Sequence, residues 1–276
     1  MESSGNSSQG FMEIETGAEN LDGSTVFHLI KEILGFVLYM HHQIPSVLQH
    51  LETEFDALKE ECKNLESTVT EAELNATSRR KHNGRVREVK QGIKRLEKLM
   101  NAISSLLSAL QNMLTEIPNI QRVVLVLGGS LVRPQHVYEI FFPHGRFVSA
   151  SANECSKNKA AEALSKKAIR ALISNGAGAR SYAGPAKLFL LVKAPSTSNL
   201  SDHFLPKRDF KYSKKIVPFR LHINCRIHDQ YMDESHPTSE ASNLINLLDD
   251  SSTDMIWFQC KHSIKGLASK ASLEEE

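Results

Sequence analysis

The strongest hydrophobic pattern in the chain runs from Val86 to Ile117. Val86, Val89, Ile93, Leu96, Met100, Ile103, Leu107, Leu110, Leu114 and Ile117 recur at alternating steps of three and four residues. Leu99, Leu106 and Met113 widen this stripe. The spacing predicts one long amphipathic helix, stopped by Pro118. Sustained heptads also suit a coiled-coil dimer. The widened stripe favours a helix laid against a sheet.

Val26 to Met40 is apolar almost all round, interrupted by Lys31 and Glu32. It predicts a buried helix, capped by Ser24 or Thr25 and ended or bent at Pro45. The run is shorter than the roughly 20 residues of a membrane span. Residues 1–22 are rich in Ser, Gly and Glu and predict a disordered tail. Residues 52–84 read as a polar insertion, acidic at first, then reversed in charge by "SRRKHNGR" with a turn signal at Asn83-Gly84.

After Pro118 the period changes. Val123–Leu127 is a continuous apolar run, as expected for a strand covered on both faces. "VYEIFF" (137–142) and Leu188–Val192 read as further strands. Residues 156–174 predict a helix with Ala160, Ala161, Leu164, Ala168, Ala171 and Leu172 inward and a C-cap at Asn175-Gly176. In 217–228 apolar and polar residues alternate, predicting a half-solvated antiparallel strand at an edge. Residues 229–254 read as a mobile loop, "MIWFQCKHSIKG" as a last strand, and 269–276 as a charged tail. Helices come early and strands late, so the fold class is α+β, a single domain over 23–268.

Apolar content of 41% and charged content of 24% are those of a globular chain. The net charge of +1 gives no reason to expect nucleic acid or an anionic membrane as partner. Cys62, Cys155, Cys225 and Cys260 are far apart, without a CxxC pair, which suggests free thiols in a reducing compartment.

Gly128-Gly129 ends a strand as many phosphate loops begin. Neither GxGxxG nor GxxxxGK[ST] is present, and Pro134 leads into another strand. The pair is expected only to turn the chain. His222 and His228 face away from Cys225 by strand parity, so they make no metal cluster, and His41 and His42 point different ways on a helix. No nucleophile elbow or forced carboxylate pair occurs. Arg79-Arg80-Lys81 reads first as a solvated loop, second as an import signal, and last as a nucleic-acid contact. The residues favour a non-catalytic binding module, with no cofactor and no metal.

"YMHHQIP", "VLVLGGSLVRPQHVYEI", "FLPKRDF" and "IWFQCKHSIKG" together resemble the comet-type Mad-two-binding family, in its plant-type form. The resemblance covers roughly residues 26–267. It implies a HORMA-like fold with a C-terminal safety-belt segment that includes Trp257 and Phe258. It implies no enzyme. It implies an adaptor, nuclear and cytoplasmic, that docks on a closed HORMA protein (Mad-two or a meiotic axis protein) and recruits the Pch-two-type AAA+ ATPase. That activity would serve checkpoint silencing in mitosis and axis remodelling in meiosis. Residue by residue, Ile169 falls where the family places an aromatic partner anchor, and Met40 where it places a glutamine. Lys166, Arg170 and Ile173 share the helical face of Ile169. Phe204, Pro206 and Lys207 match the family's ATPase-contacting Phe-x-Pro-Lys.

Overall fold

The computed structural model describes residues 11–16, 21–67, 76–117, 119–143, 154–179, 184–198, 200, 202–213, 215–225 and 254–267. Among these, four helices pack against a mainly antiparallel mixed sheet. The helices are α1 (Gly23–Met40), α2 (Leu51–Ser67), α3 (Ala76–Glu116) and α4 (Glu154–Ser174). The strands are β1 (Met12–Glu15), β2 (Arg122–Ser130), β3 (Arg133–Phe141), β4 (Lys187–Pro195), β5 (Phe204–Pro206), β6 (Phe219–Asn224), β7 (Met255–Cys260) and β8 (Ile264–Lys265). Their order is β1-β6-β3-β2-β4-β7-β5, and β8 continues beside β4 after β7 ends.

Alternation along the strands divides the sheet into two faces. Val123, Leu125, Leu127, Tyr138, Ile140, Leu190 and Val192 join the helices in one large core. Val124, Val126, Val137 and Leu191 form a second, smaller core on the other face. Phe210, Tyr212 and Ile216, from the connection between β5 and β6, lie across that face with Trp257. This connection explains why Val123–Leu127 can be apolar without a break: both faces of β2 are covered.

α1 is the central helix. Among the described residues it is the one long and apolar enough to cross a membrane. Here its Val26, Leu29, Ile30, Ile33, Leu34, Val37 and Leu38 are fully buried between α3, α4 and the sheet. α3 is a single helix about 60 Å long at 1.5 Å per residue. Its stripe is buried within the chain: Leu106, Leu110 and Met113 in the main core, Val89 further along, where α2 packs back on α3.

Several expectations are corrected. The tail expected over 1–22 gives way at Met12–Glu15 to β1, parallel to β6 and anchored by Ile14, 1% exposed. A single buried isoleucine between polar neighbours carries too little pattern to be read as a strand. The cap of α1 is Asp22, whose carboxylate accepts the Thr25 N–H at 2.6 Å. α1 stops at Met40, well before Pro45, and His42 takes a positive φ of 52° just beyond.

The described parts of the insertion, 52–67 and 76–84, are helical, and Asn83-Gly84 lies inside α3 rather than in a turn. Glycine inside a helix costs about 1 kcal/mol. Packing against α2 and the Arg85–Glu61 ion pair offset it. Ala160 is exposed; α4 buries Ala161, Leu164, Ser165, Ala168 and Leu172 instead. β6 is parallel to both β3 and β1, and β1 forms the edge outside it. Its alternation records one solvated face, which does not fix strand direction. The loop expected at 229–254 falls outside the described residues except for Asp254, and so does the tail at 269–276.

Gly128 sits at a register shift between β2 and β3. A Cβ there would stand 2.6 Å from the Arg133 carbonyl oxygen and 2.9 Å from Pro134 Cα. The glycine allows two backbones to touch; it leads to β3 and offers no helix N-terminus to an anion.

Candidate interaction surfaces

The end of α1 is held by a buried polar clip. Gln43, 1% exposed, donates from Nε2 to the His41 carbonyl at 2.6 Å and to the Gly184 carbonyl at 3.2 Å. Its Oε1 accepts the Ala186 N–H at 2.6 Å, and its own carbonyl accepts the Leu267 N–H at 2.8 Å. His41 is fully buried and its Nε2 lies 2.7 Å from the Tyr138 hydroxyl. Burial first, then the neighbouring His136 and His42, lower its pKa to about 4. His136 stacks on it at 4.0 Å. "HHQIP" is therefore a structural lock. Sequence reading singled out its histidines and missed the glutamine, whose only signal was a polar residue between an apolar helix and Ile44.

This lock positions Met40, which is half-buried against Gly178, just past the end of α4. α4 presents Lys166, Arg170 and Ile173 to solvent, and Ile173 is 53% exposed. Lys166 pairs with Glu162 at 2.6 Å. Ile169 is half-buried, so it is less available than Ile173. Tyr39, 43% exposed, adds an aromatic beside Met40 that sequence reading did not single out. Met40, Lys166, Ile169, Arg170 and Ile173 thus share the α1–α4 side of the molecule. Lys167 donates to the Glu15 carbonyl at 3.0 Å, which ties α4 to the β1 edge of the sheet.

The segment at 204–207 lies at the opposite edge. Phe204 is 1% exposed and belongs to the core, so it cannot serve as a contact residue; it anchors β5 instead. Pro206 and Lys207 are exposed. The Lys207 N–H bonds the Trp257 carbonyl at 2.7 Å and the Lys261 N–H bonds the His203 carbonyl at 2.8 Å. Residues 203 and 207 therefore face β7, and Pro206 faces outward. A proline there offers no N–H to an added strand.

β7 lies between β4 and β5. Phe258 points into the main core, 4% exposed, and Trp257 points to the other face, edge-on to Phe210 at 5.5 Å. On that same face Glu139, 5% exposed, accepts from the Tyr212 hydroxyl at 2.8 Å and from Arg220 Nε at 3.0 Å. Among the described residues no group of three or more His, Cys, Asp or Glu could hold a metal ion. Cys62, Cys225 and Cys260 are free, and burial pushes the Cys260 thiol up to about 11.

No protein-family profile matches this chain, and no curated protein is significantly similar to it.

Proposed function

We propose that the protein is a non-catalytic adaptor of the comet type, with a HORMA-like fold whose C-terminal segment acts as a safety belt. Its α1–α4 side, with Met40, Ile169 and Ile173, docks on a closed HORMA protein of the Mad-two or meiotic-axis kind. Pro206 and Lys207 recruit the Pch-two-type ATPase. One observation carries this reading. α4, which carries Ile169 and Ile173, is tied through Lys167 to the β1 edge of the sheet, while Pro206 and Lys207 lie at the β5 edge. Six strand spacings separate those edges by about 29 Å, enough for both partners to be held at once. The seating of β7 between β4 and β5 supports the safety-belt assignment. A scaffold built on residues 86–117 would need the α3 stripe for a second copy, and most of that stripe is buried within the chain. Sedimentation should accordingly give a compact monomer.

The test is a pull-down with both partners. Ile173→Arg, and more weakly Ile169→Arg, should lose the HORMA partner and keep the ATPase. Lys207→Glu should do the reverse, because like charges at a contact cost affinity and slow association. Pro206→Glu with Lys207→Glu should behave the same way; the single variant leaves the sheet edge blocked and so isolates the charge. Loss of both partners together, or of neither, defeats the adaptor reading.

A further inference from the structure

Charge along the α2–α3 arm is distributed unevenly. Arg80, Lys81, Arg87, Lys94, Arg95 and Lys98 are all exposed on α3. Arg80, Arg87 and Lys94 fall seven residues apart, so they stand nearly in line, about 10.5 Å from one to the next. Lys98 extends that line by a turn, while Lys81 and Arg95 are turned about 100° away from it on an adjoining side of the helix. The opposite side of the same helix carries Val89 and Leu96, which are buried.

α2 neutralises only the margin of this face. Glu61 holds Arg85, with Oε1 2.9 Å from its Nε, and Glu66 holds Lys90 at 2.7 Å. Glu88 turns to Arg85 at 3.8 Å, and Glu97, exposed three residues past Lys94, borders the line on its other side. Among the described residues Arg80, Arg87, Lys94 and Lys98 make no ion pair, and they form a stripe about 27 Å long. With 79–81 read as a loop the stripe could not be seen, because only helical geometry brings 80, 87 and 94 onto one side.

We infer that the outer face of α3 between Arg80 and Lys98 binds the phosphate backbone of a nucleic-acid duplex. The residues around the line are Asn83, Gly84, Gln91 and Asn101, with Glu88 and Glu97 at its margins, all exposed and none apolar. A membrane-binding helix inserts an apolar face, and here that face is turned into the protein. A protein interface centres on aromatic or apolar anchors, which this face lacks. A duplex is anionic throughout, with one charge per about 1.7 Å of its axis, and needs only cations and short hydrogen-bonding groups. Arginine forks match phosphate oxygens pairwise. The inference is independent of the adaptor reading, since it uses neither α4 nor β5.

Fluorescence anisotropy of the full chain with a labelled DNA duplex of about 20 base pairs tests it. Binding should weaken linearly in log affinity against log salt. Arg80→Gln with Arg87→Gln, Lys94→Gln and Lys98→Gln should lower affinity at least tenfold and reduce the salt slope by about 3.6. Circular dichroism and the melting temperature should stay unchanged, because these side chains are exposed. The single variant Arg87→Glu should shift binding the same way to a smaller degree. Arg85→Gln with Lys90→Gln, which removes cations already paired, should leave binding as it is. Three results would overturn the inference: no binding at low salt, equal loss in the paired-cation control, or displacement by polyglutamate as effective as by unlabelled duplex. The last would identify an acidic protein as the occupant.

Discussion

Gln43 and Gly266 touch so closely that a Cβ on residue 266 would stand 2.8 Å from Gln43 Cβ. The Gly266 N–H also bonds the Ala186 carbonyl at 2.9 Å, while the Ala186 N–H bonds Gln43 Oε1. The end of α1, the start of β4 and the end of β8 are thus joined at one point. Gln43→Leu keeps the volume but leaves the Ala186 N–H and the His41 carbonyl without this partner. Each such buried group costs about 1–3 kcal/mol. Gly266→Val should be as damaging through overpacking, about 1–3 kcal/mol. Melting temperatures for both should fall by several degrees; a fall confined to one variant would separate the hydrogen bond from the close fit.

His41 makes stability depend on pH. Its folded pKa of about 4 lies below the unfolded value near 6.5. The unfolded chain therefore takes up the proton first as pH falls. The folded state is undiminished above pH 6.5, loses stability between 6.5 and 4, and by pH 4 has lost roughly 3 kcal/mol from this group. Chemical denaturation at pH 7 and pH 4.5 measures the loss. His41→Gln, which can still meet the Tyr138 hydroxyl, should make that difference clearly smaller. An unchanged difference would place the sensitivity elsewhere.

Much of the fold was legible in the sequence where the period was long and the burial one-sided. α3, α4 and the continuous run of β2 follow directly from Leu96, Leu106, Leu172 and Val123–Leu127. The failures are local. Gly84 suggests a turn because propensity is read residue by residue, while the helix around it packs on α2, with Leu58 against Gly92 and Glu61 holding Arg85. The alternation along β6 suggests an antiparallel strand, yet a solvated face looks alike in either direction. Phe204 was placed on a contact surface by motif, although a phenylalanine at the start of a short edge strand has the core within reach. Tyr39 and the α3 cations were visible as residues; only tertiary structure shows which of them stay uncovered.

Glu139 fastens the connection between β5 and β6 to the sheet. Its carboxylate accepts from Tyr212 and Arg220, and Arg122 lies 3.8 Å away. Burial, then this carboxylate, raise the Tyr212 pKa. Removing one partner of a buried ion pair costs about 3–5 kcal/mol. The arginines here keep part of their hydration, so Glu139→Ala should cost about 2 kcal/mol, below that range. Tryptic cleavage after Lys211 and Lys215 should accelerate in the variant. Unchanged cleavage would mean that Phe210 and Ile216 hold the segment without the charge network.

β7 tests whether the C-terminal segment closes the sheet or merely decorates it. It pairs with β4 over Met255–Gln259 and with β5 over Phe258–Cys260, so it is internal. Ile256, Phe258 and Cys260 enter the main core, while Trp257 supports Phe210 on the other face. Phe258→Ala should cost about 3–5 kcal/mol, the usual range for a buried aromatic. Trp257→Ala should cost less, since Trp257 is only half-buried, and should loosen 207–218 to trypsin. Deleting residues 255–276 removes the partner of β5, uncovers the long edge of β4 and opens the main core at Phe204 and Leu190. The truncated chain should therefore fail to melt cooperatively. If it melts as the full chain does, β7 is an attachment to a sheet already complete at β4, and the safety-belt assignment falls with it.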